Sequence, residues 1–394
     1  MDETNNHQVS LKKNLLIDCS YIQGTWEPSS SLIIYAVRVI QGFLKYGHCQ
    51  IHVLIWRELE DLFDKLIGQE YDKILLDHDD LVTSWRPYYR VFGFLPRHLK
   101  KEMKKRGITT VLQPSHLYGI LYYSPPVRQF VIIHDLFEYD IIREERGKIS
   151  YCVWRRYHRY LIRKYPNVIT ISQATHDELM REDGKESDIA HNSIPFDFLI
   201  PEQPVDIVQG KKYILDINRF THYKNAETLI RAFGLIKDEI PHILYLKGDR
   251  NYVKERLCLE NLASQLGLQD RIIFDTQYRT EGELRFLYTH TDLFVSPSLK
   301  EGFGWTPIEA SILKTPTLVS DLDAFKEVTC GKVPTFDPRS PEDLATHIID
   351  ILNNPPSNQE RTNLSYFFME KYSLKNQIDR LENILYQRKA INKI

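Results

Sequence analysis

Two glutamates eight residues apart, Glu301 and Glu309, flank a pair of glycines that bracket an aromatic residue, Gly302-Phe303-Gly304. An apolar run, Leu293-Phe294-Val295-Ser296, leads into them, and Pro307 stands where a helix would begin. Proline is favoured in a helix's first turn. Glycine lets backbone N–H groups come close to a phosphate, and a helix start adds favourable partial charge. A carboxylate one turn further on can take the hydroxyls of a ribose. One just before the glycines can take the hydroxyls of a sugar. A second group of candidates is Arg219 and Lys224, after the apolar run 213–217. Two cations there could hold a diphosphate and offset its developing charge as it leaves. A third is His134, which ends the apolar run 129–133.

Two acidic pairs suggest a different chemistry. Asp321-Leu322-Asp323 lies twelve residues beyond Glu309, and Asp77-His78-Asp79-Asp80 follows the run 73–76. An Asp-x-Asp after a strand could hold a divalent cation and a sugar diphosphate. The first pair lies in a loop that also belongs to the glutamate arrangement, and the second sits in an acidic surface-like run. No metal is therefore expected.

Together, these residues resemble the Glu-x7-Glu motif and its companions in the retaining, GT-B-fold glycosyltransferases of family 4, the glycosyltransferase group 1. The segment 317–328 resembles the strand and loop that follow the motif. The segment 215–225 resembles the family's Arg…Lys-Asn loop, Val131-Ile132-Ile133-His134-Asp135-Leu136 its strand-end histidine, and 171–175 its next strand-loop. The resemblance runs from about residue 129 to residue 327. It implies that Glu301 positions the donor sugar and that Glu309 binds the ribose. It implies that the backbones of Gly302, Phe303 and Gly304 line the sugar-diphosphate, and that His134 hydrogen-bonds near the reaction centre. Tyr278 falls near the family's base-binding loop. The stretch 23–31 stands where the family has a glycine-rich loop, and its single glycine, Gly24, is a further donor-side candidate.

Short apolar runs must position these groups. In the first half they fall at 14–18, 50–56, 73–76, 109–112, 129–133 and 167–171. In the second half they fall at 213–217, 242–246, 271–274, 293–296, 315–319 and 333–336. Segments of helical period lie between them, as at 227–237 and 252–266. Such alternation predicts parallel sheets with crossover helices. The expected fold is α/β, a GT-B arrangement of two Rossmann-like doubly wound domains facing a cleft. The expected domains are 1–195 on the acceptor side and 213–374 for the nucleotide sugar. The proline-bearing stretch 196–212 is read as a linker, and 375–394 as a helix packing back on the first domain.

The 394 residues suit two domains, and the net charge of −2 argues against a general polyanion binder. The five cysteines include no Cys-x-x-Cys and read as free thiols. The N-terminus lacks an apolar signal core and no apolar run approaches the length of a membrane span, so a cytoplasmic protein is expected. One segment suggests peripheral contact with the membrane's inner face. Trp154, Tyr157, Leu161, Ile162 and Tyr165 recur at helical spacing, with Arg155, Arg156, Arg159, Arg163 and Lys164 on the other faces. A second basic run is Lys100, Lys101, Lys104, Lys105 and Arg106. No nucleic-acid-binding module accompanies this charge.

The leading expectation is thus a hexosyltransferase. Its donor is a nucleotide-diphosphate sugar and its acceptor a glycan or lipid-linked saccharide of cell-surface polysaccharide assembly. No cofactor is expected. A nucleotide-sugar epimerase on the same fold, or a non-catalytic sugar-nucleotide binder, would use the same donor residues. A dehydrogenase is disfavoured, because no Gly-x-Gly-x-x-Gly follows the first strand.

Overall fold

The computed structural model describes residues 13–22, 30–77, 97–116, 126–137, 148–194 and 200–387. The chain forms two compact units. The first takes in Met1–Ile171, His176–Ala190 and Leu374–Ile394, the second Ser172–Thr175 and His191–Ser373.

The first unit is built on β1 (Asn14–Asp18), β2 (Gln50–Trp56), β3 (Asp72–Leu76), β4 (Thr110–Gln113), β5 (Arg128–Ile133), β6 (Asn167–Thr170) and β7 (Asp188–Ile189). They form one parallel sheet in the order β3-β2-β1-β4-β5-β6-β7. Helices α1 (Ser31–Tyr46), α2 (Glu60–Ile67), α3 (Arg97–Lys105), α4 (Lys148–Lys164) and α5 (Gln173–Asp183) connect them. Leu15, Leu16 and Ile17 of β1 are fully buried, as a central parallel strand covered on both faces requires. The polar exception is a ladder across three strands. Gln113 donates to Asp18 at 2.9 Å, and Gln129 donates to Gln113 at 2.6 Å. Each of these buried polar side chains is thereby satisfied.

The basic helix α4 uses part of its charge within the fold. Its arginines wrap the C-terminal end of α5. Arg155 is buried and donates to the carboxylate of Asp183 at 2.8 Å and to the carbonyl of Glu182 at 2.8 Å. Arg159 donates to the same Glu182 carbonyl at 2.7 Å, and Arg163 to the Asp183 carbonyl at 2.9 Å. The last carbonyls of a helix lack partners within it, and cations are favoured there. Three of the five basic residues read as a membrane contact are thus engaged in the fold. Tyr157, expected on the packed face, is instead exposed beside Ile149, Val153 and Tyr160. An Arg155→Ala chain should lose about 3 kcal/mol of stability, because the fully buried Asp183 loses its 2.8 Å partner. Urea denaturation of the two chains checks this.

The second unit repeats the plan. Its strands are β8 (Tyr213–Ile217), β9 (Ile243–Lys247), β10 (Ile272–Asp275), β11 (Leu293–Ser296), β12 (Thr317–Ser320) and β13 (Thr335–Phe336). They are all parallel, in the order β10-β9-β8-β11-β12-β13. Around them lie α6 (Ala226–Ile236), α7 (Val253–Gln265), α8 (Glu281–Thr289), α9 (Trp305–Ile312), α10 (Asp323–Thr329), α11 (Pro341–Asn353) and α12 (Asn358–Lys371). The described part of the stretch read as a linker belongs to this unit. Val205 and Val208 are buried in a core with Tyr213, Leu215, Tyr245 and Phe294. The last helix, α13 (Leu374–Gln387), belongs to the first unit and packs on α1. Gly42 of α1 allows that approach, since a Cβ there would lie 2.6 Å from Ile378.

Strand order places the candidate residues. β8 and β11 are neighbours, although α6, β9, α7, β10 and α8 separate them along the chain. The sheet runs one way from β8 and the other way from β11, so the loops leaving these two strands meet at the switch point. Ligands in open α/β sheets bind at such points.

Candidate functional site

The loop after β8 and the loop after β11 are stapled together in the second unit. Asn225 adopts the left-handed conformation, with φ 58°. Its side-chain amide donates to the carbonyls of Pro297 and Pro338, each at 2.9 Å. Thr228 donates to the Asn225 side-chain oxygen at 2.9 Å, and the Leu299 N–H to the Tyr223 carbonyl at 2.7 Å. This framework brings Lys224 onto Glu301. The ammonium lies 2.6 Å from Glu301 Oε1, and Ser298 donates to the same oxygen at 2.7 Å. Both charged side chains are largely buried, 15% and 8% exposed, so the pair is fixed and weakly screened.

Arg219 leaves the same strand but is more exposed, with its nearest carboxylate, Asp249, 3.9 Å away. Its guanidinium also hydrogen-bonds Tyr252, and the exposed half of the side chain is open to an incoming anion. The glycine segment follows directly. Gly304 has φ 88°, and a Cβ there would lie 2.5 Å from the Phe325 ring, so only glycine fits. Phe303 is buried, with its ring edge-on to Tyr372 at 5.5 Å. It anchors the loop by its side chain, while its backbone stays with the glycines. The Gly302 carbonyl accepts from Ser172 at 2.5 Å and from Thr175 at 3.2 Å. Helix α9 then starts at Trp305, two residues before Pro307. Its first N–H groups have no intrahelical partner and suit an anion.

Glu309 lies one turn into α9. Its Oε2 accepts from the Tyr288 hydroxyl at 2.9 Å. Burial pushes its carboxyl up to about 7. The Tyr288 bond acts against that shift, and the charge of Glu281 adds to it. Asp216, near the end of β8, is a group that spacing did not reveal. It is 3% exposed and accepts from the Asn218 amide at 2.5 Å. Burial pushes it up to about 7. Asn218 and the Lys224 charge oppose the shift, and Glu301 adds to it. Asp216 therefore feels both members of the Lys224–Glu301 pair.

That shift has a consequence for stability. Folded Asp216 holds its proton more tightly than the ordinary value of 3.8, so folding takes up a proton between about pH 4 and 7. Its contribution is neutral below that window and increasingly unfavourable as pH rises through it. An Asp216→Asn chain lacks this slope. Its melting temperature should gain on the wild type between pH 5 and pH 8, and differential scanning fluorimetry at the two pH values checks this.

Other expected residues fall elsewhere. Tyr278 is 79% exposed in the loop after β10. That loop is held by Asp275, which accepts from Tyr245 at 2.5 Å, from Arg279 at 2.8 Å and from the Gln277 N–H at 2.9 Å. His134 belongs to the first unit. Its Nε2 lies 2.8 Å from the Pro114 carbonyl, so that nitrogen carries the proton and donates. Burial lowers its pKa to about 4, with the Pro114 bond opposing and His116 adding. The imidazole is neutral at pH 7. Gly24 lies outside the described residues, as do His78 to Asp80. Asp77 pairs with Arg57, and Asp321 with Lys326. Among the described residues, no group of three or more His, Cys, Asp or Glu side chains is arranged to hold a metal ion. Ser172, Thr175, Asp216, Tyr288 and Ser298 also belong to the candidate site but were not singled out as residues, although Ser172 and Thr175 lie in the segment 171–175 and Asp216 in 215–225.

Two parallel-sheet Rossmann-like α/β domains of this kind make the GT-B fold. The chain is similar to a glycosyltransferase structure from Rickettsia africae, with TM-score 0.68 and 14% identity, covering 98% of this chain and 100% of that one. It is similar to Anabaena HepE in complex with UDP and glucose, with TM-score 0.66 and 13% identity, covering 95% and 100%. Residues 201–366, within the second unit, match the family model described as "Glycosyl transferases group 1".

Curated relatives include the O-antigen chain mannosyltransferase RfbU of Salmonella typhimurium, 27% identical over 182 residues, 44% of this chain and 48% of that protein. The serotype-specific mannosyltransferase WbdA of Escherichia coli is 28% identical over 192 residues, 45% of this chain and 23% of that protein. The chain thus spans about half the length of the first and about a quarter of the second. No described helix is long and apolar enough to cross a membrane.

Proposed function

We propose that this chain is a retaining hexosyltransferase of family 4. It would move a hexose from a nucleotide-diphosphate sugar to a hydroxyl of a glycan or lipid-linked acceptor in cell-surface polysaccharide assembly. The observation that carries the reading is the buried Lys224–Glu301 pair beside the free N-terminus of α9 at the β8/β11 switch point. A cation and a helix start suit a diphosphate, and a fixed carboxylate suits sugar hydroxyls. The mannosyltransferase relatives favour mannose as the hexose.

In this reading the bond between the sugar's anomeric carbon and the diphosphate oxygen breaks. A bond to the acceptor oxygen forms on the same face, and the acceptor's proton passes to the leaving phosphate. Arg219 and Lys224 offset the charge that builds on that phosphate. Glu301 orients the sugar and Glu309 takes the ribose hydroxyls. Gly302, Phe303 and Gly304 present backbone to the diphosphate, and Tyr278 lies near the base. His134, neutral and with its Nε2–H given to Pro114, would serve near the sugar as a hydrogen-bond acceptor through Nδ1 and not as a cation. No metal is required, since the cations are side chains. Full activity in EDTA is the expected result, and its loss with rescue by Mn²⁺ would contradict this part.

Peripheral contact with an anionic membrane face belongs to the same proposal. Arg156 and Lys164 are exposed on α4 beside Ile149, Val153 and Tyr160. The test of function is release of nucleoside diphosphate from a nucleoside-diphosphate mannose, with and without a lipid-linked oligosaccharide. Release only with acceptor, giving a product of unchanged anomeric configuration by NMR, supports the reading. Conversion of the free sugar nucleotide without acceptor supports an epimerase instead.

A further inference from the structure

A cavity of about 710 Å³ opens at the other end of the second unit's sheet. Its walls come from residues just before β12 and β13, from the end of α11, and from α12. The candidate donor loops leave β8 and β11 at the opposite end of this parallel sheet. Helix α9 links the two places. It begins beside Gly304, and Ser311, in its last turn, lines the cavity. Nothing in the donor chemistry uses this second space, and its size is that of a small-molecule site.

The lining has two characters. Val333, Ile351, Leu364 and Phe367 give an apolar wall, and prolines at 316, 334, 355 and 356 add surface without N–H donors. The charged groups are Lys332, Glu360 and Arg361. Glu360 is committed elsewhere. Its Oε2 accepts from the Ser357 N–H at 2.8 Å and from the Ser357 hydroxyl at 2.7 Å in a capping box at the start of α12. Lys332 has its ammonium 4.9 Å from the centre of the Phe367 ring. Arg361 donates through Nη1 to the Lys314 carbonyl at 3.1 Å, but its Nε is buried with no hydrogen-bond partner among the described residues. A buried N–H donor without a partner is costly, and a small turn of the guanidinium toward a ligand oxygen in the cavity would relieve it. Two cations over an apolar wall, one with a spare donor, do not suit a neutral sugar. They suit an anion attached to a flat or apolar body.

We propose that this cavity is a second ligand site, separate from the donor residues, for a small organic anion. Its charged end meets Arg361 and Lys332, and its body lies on Phe367, Leu364 and Val333. The inference is independent of the glycosyltransferase reading. Isothermal titration calorimetry of the full chain with 1-naphthyl phosphate tests it. One saturable site is expected, weakened about tenfold or more in R361Q and in K332Q, and lost in L364W, which fills the space. The neutral 1-naphthol should bind more weakly than the phosphate. Lys332 is exposed, so K332Q should fold as the wild type does, and melting curves verify this. Absence of saturable binding to the wild type overturns the proposal. So does unchanged affinity in folded K332Q and R361Q.

Discussion

A Lys224→Ala chain should lose sugar transfer by about 10²- to 10³-fold, the usual cost of removing one charge-stabilising donor from a transition state. The loss should appear mainly in kcat, because the charge on the leaving diphosphate grows as its bond to the sugar breaks. Stability should fall as well. Lys224 lies 2.6 Å from a glutamate only 8% exposed, and Asp216 sits in the same field. Removing the cation leaves two buried acids without their opposite charge, which is costly unless they take up protons. The two effects can be separated. A Lys224→Ala, Glu301→Ala chain removes both members of the pair, so it should regain much of the melting temperature and none of the activity. A double variant that recovered transfer would reduce the pair to a structural feature.

Donor binding should strengthen as pH rises through about 7, and Glu309→Gln should remove much of that dependence. Glu309 is held up to about 7 by burial, so below that value it is largely protonated. A carboxylate accepts two hydroxyl hydrogen bonds, whereas a carboxylic acid uses one oxygen as a donor. The ribose should therefore be held best above pH 7. Glu309→Gln should weaken the nucleoside diphosphate about tenfold or more at pH 8 and much less at pH 6, as the loss of a charged hydrogen bond implies. Tyr288→Phe sharpens the test. The Tyr288 hydroxyl donates to Glu309 Oε2 and holds the carboxyl lower than burial alone would. Its removal should shift the midpoint of the binding profile upward. Calorimetric titrations across pH 5.5 to 8.5 measure all three profiles.

The candidate residues divide by how local their signal is. Glu301, the glycines and Glu309 occupy one strand-loop-helix stretch, so their spacing is visible in the chain itself. Arg219 and Lys224 follow another strand directly. Asp216 was invisible because a lone aspartate in an apolar run has no pattern. It acquires meaning only when β8 is placed beside β11 and Lys224 folds over onto Glu301. Tyr288, Ser172 and Thr175 reach the site from 21, 130 and 127 residues away along the chain, and periodicity carries nothing over such separations.

The strands of both sheets were legible as buried parallel runs, except β7, whose two residues are too few to show a pattern. The α4 arginines show the converse. A helical wheel separates basic from apolar faces but cannot say what the basic face meets. Arg155 is satisfied by Asp183, 28 residues on, and with Arg159 and Arg163 it folds against the end of α5. Prolines mark a break in periodicity equally well when the chain, as at Val205 and Val208, packs into a core.

Calorimetric titration of the wild type and of Lys224→Ala with UDP, GDP, ADP and CDP tests the central claim most directly. The second unit should bind one of these diphosphates saturably, and the lysine variant should bind it at least about tenfold more weakly. Failure of all four to bind the folded wild type, or equal binding by both chains, would contradict a donor site built on Lys224 and Glu301.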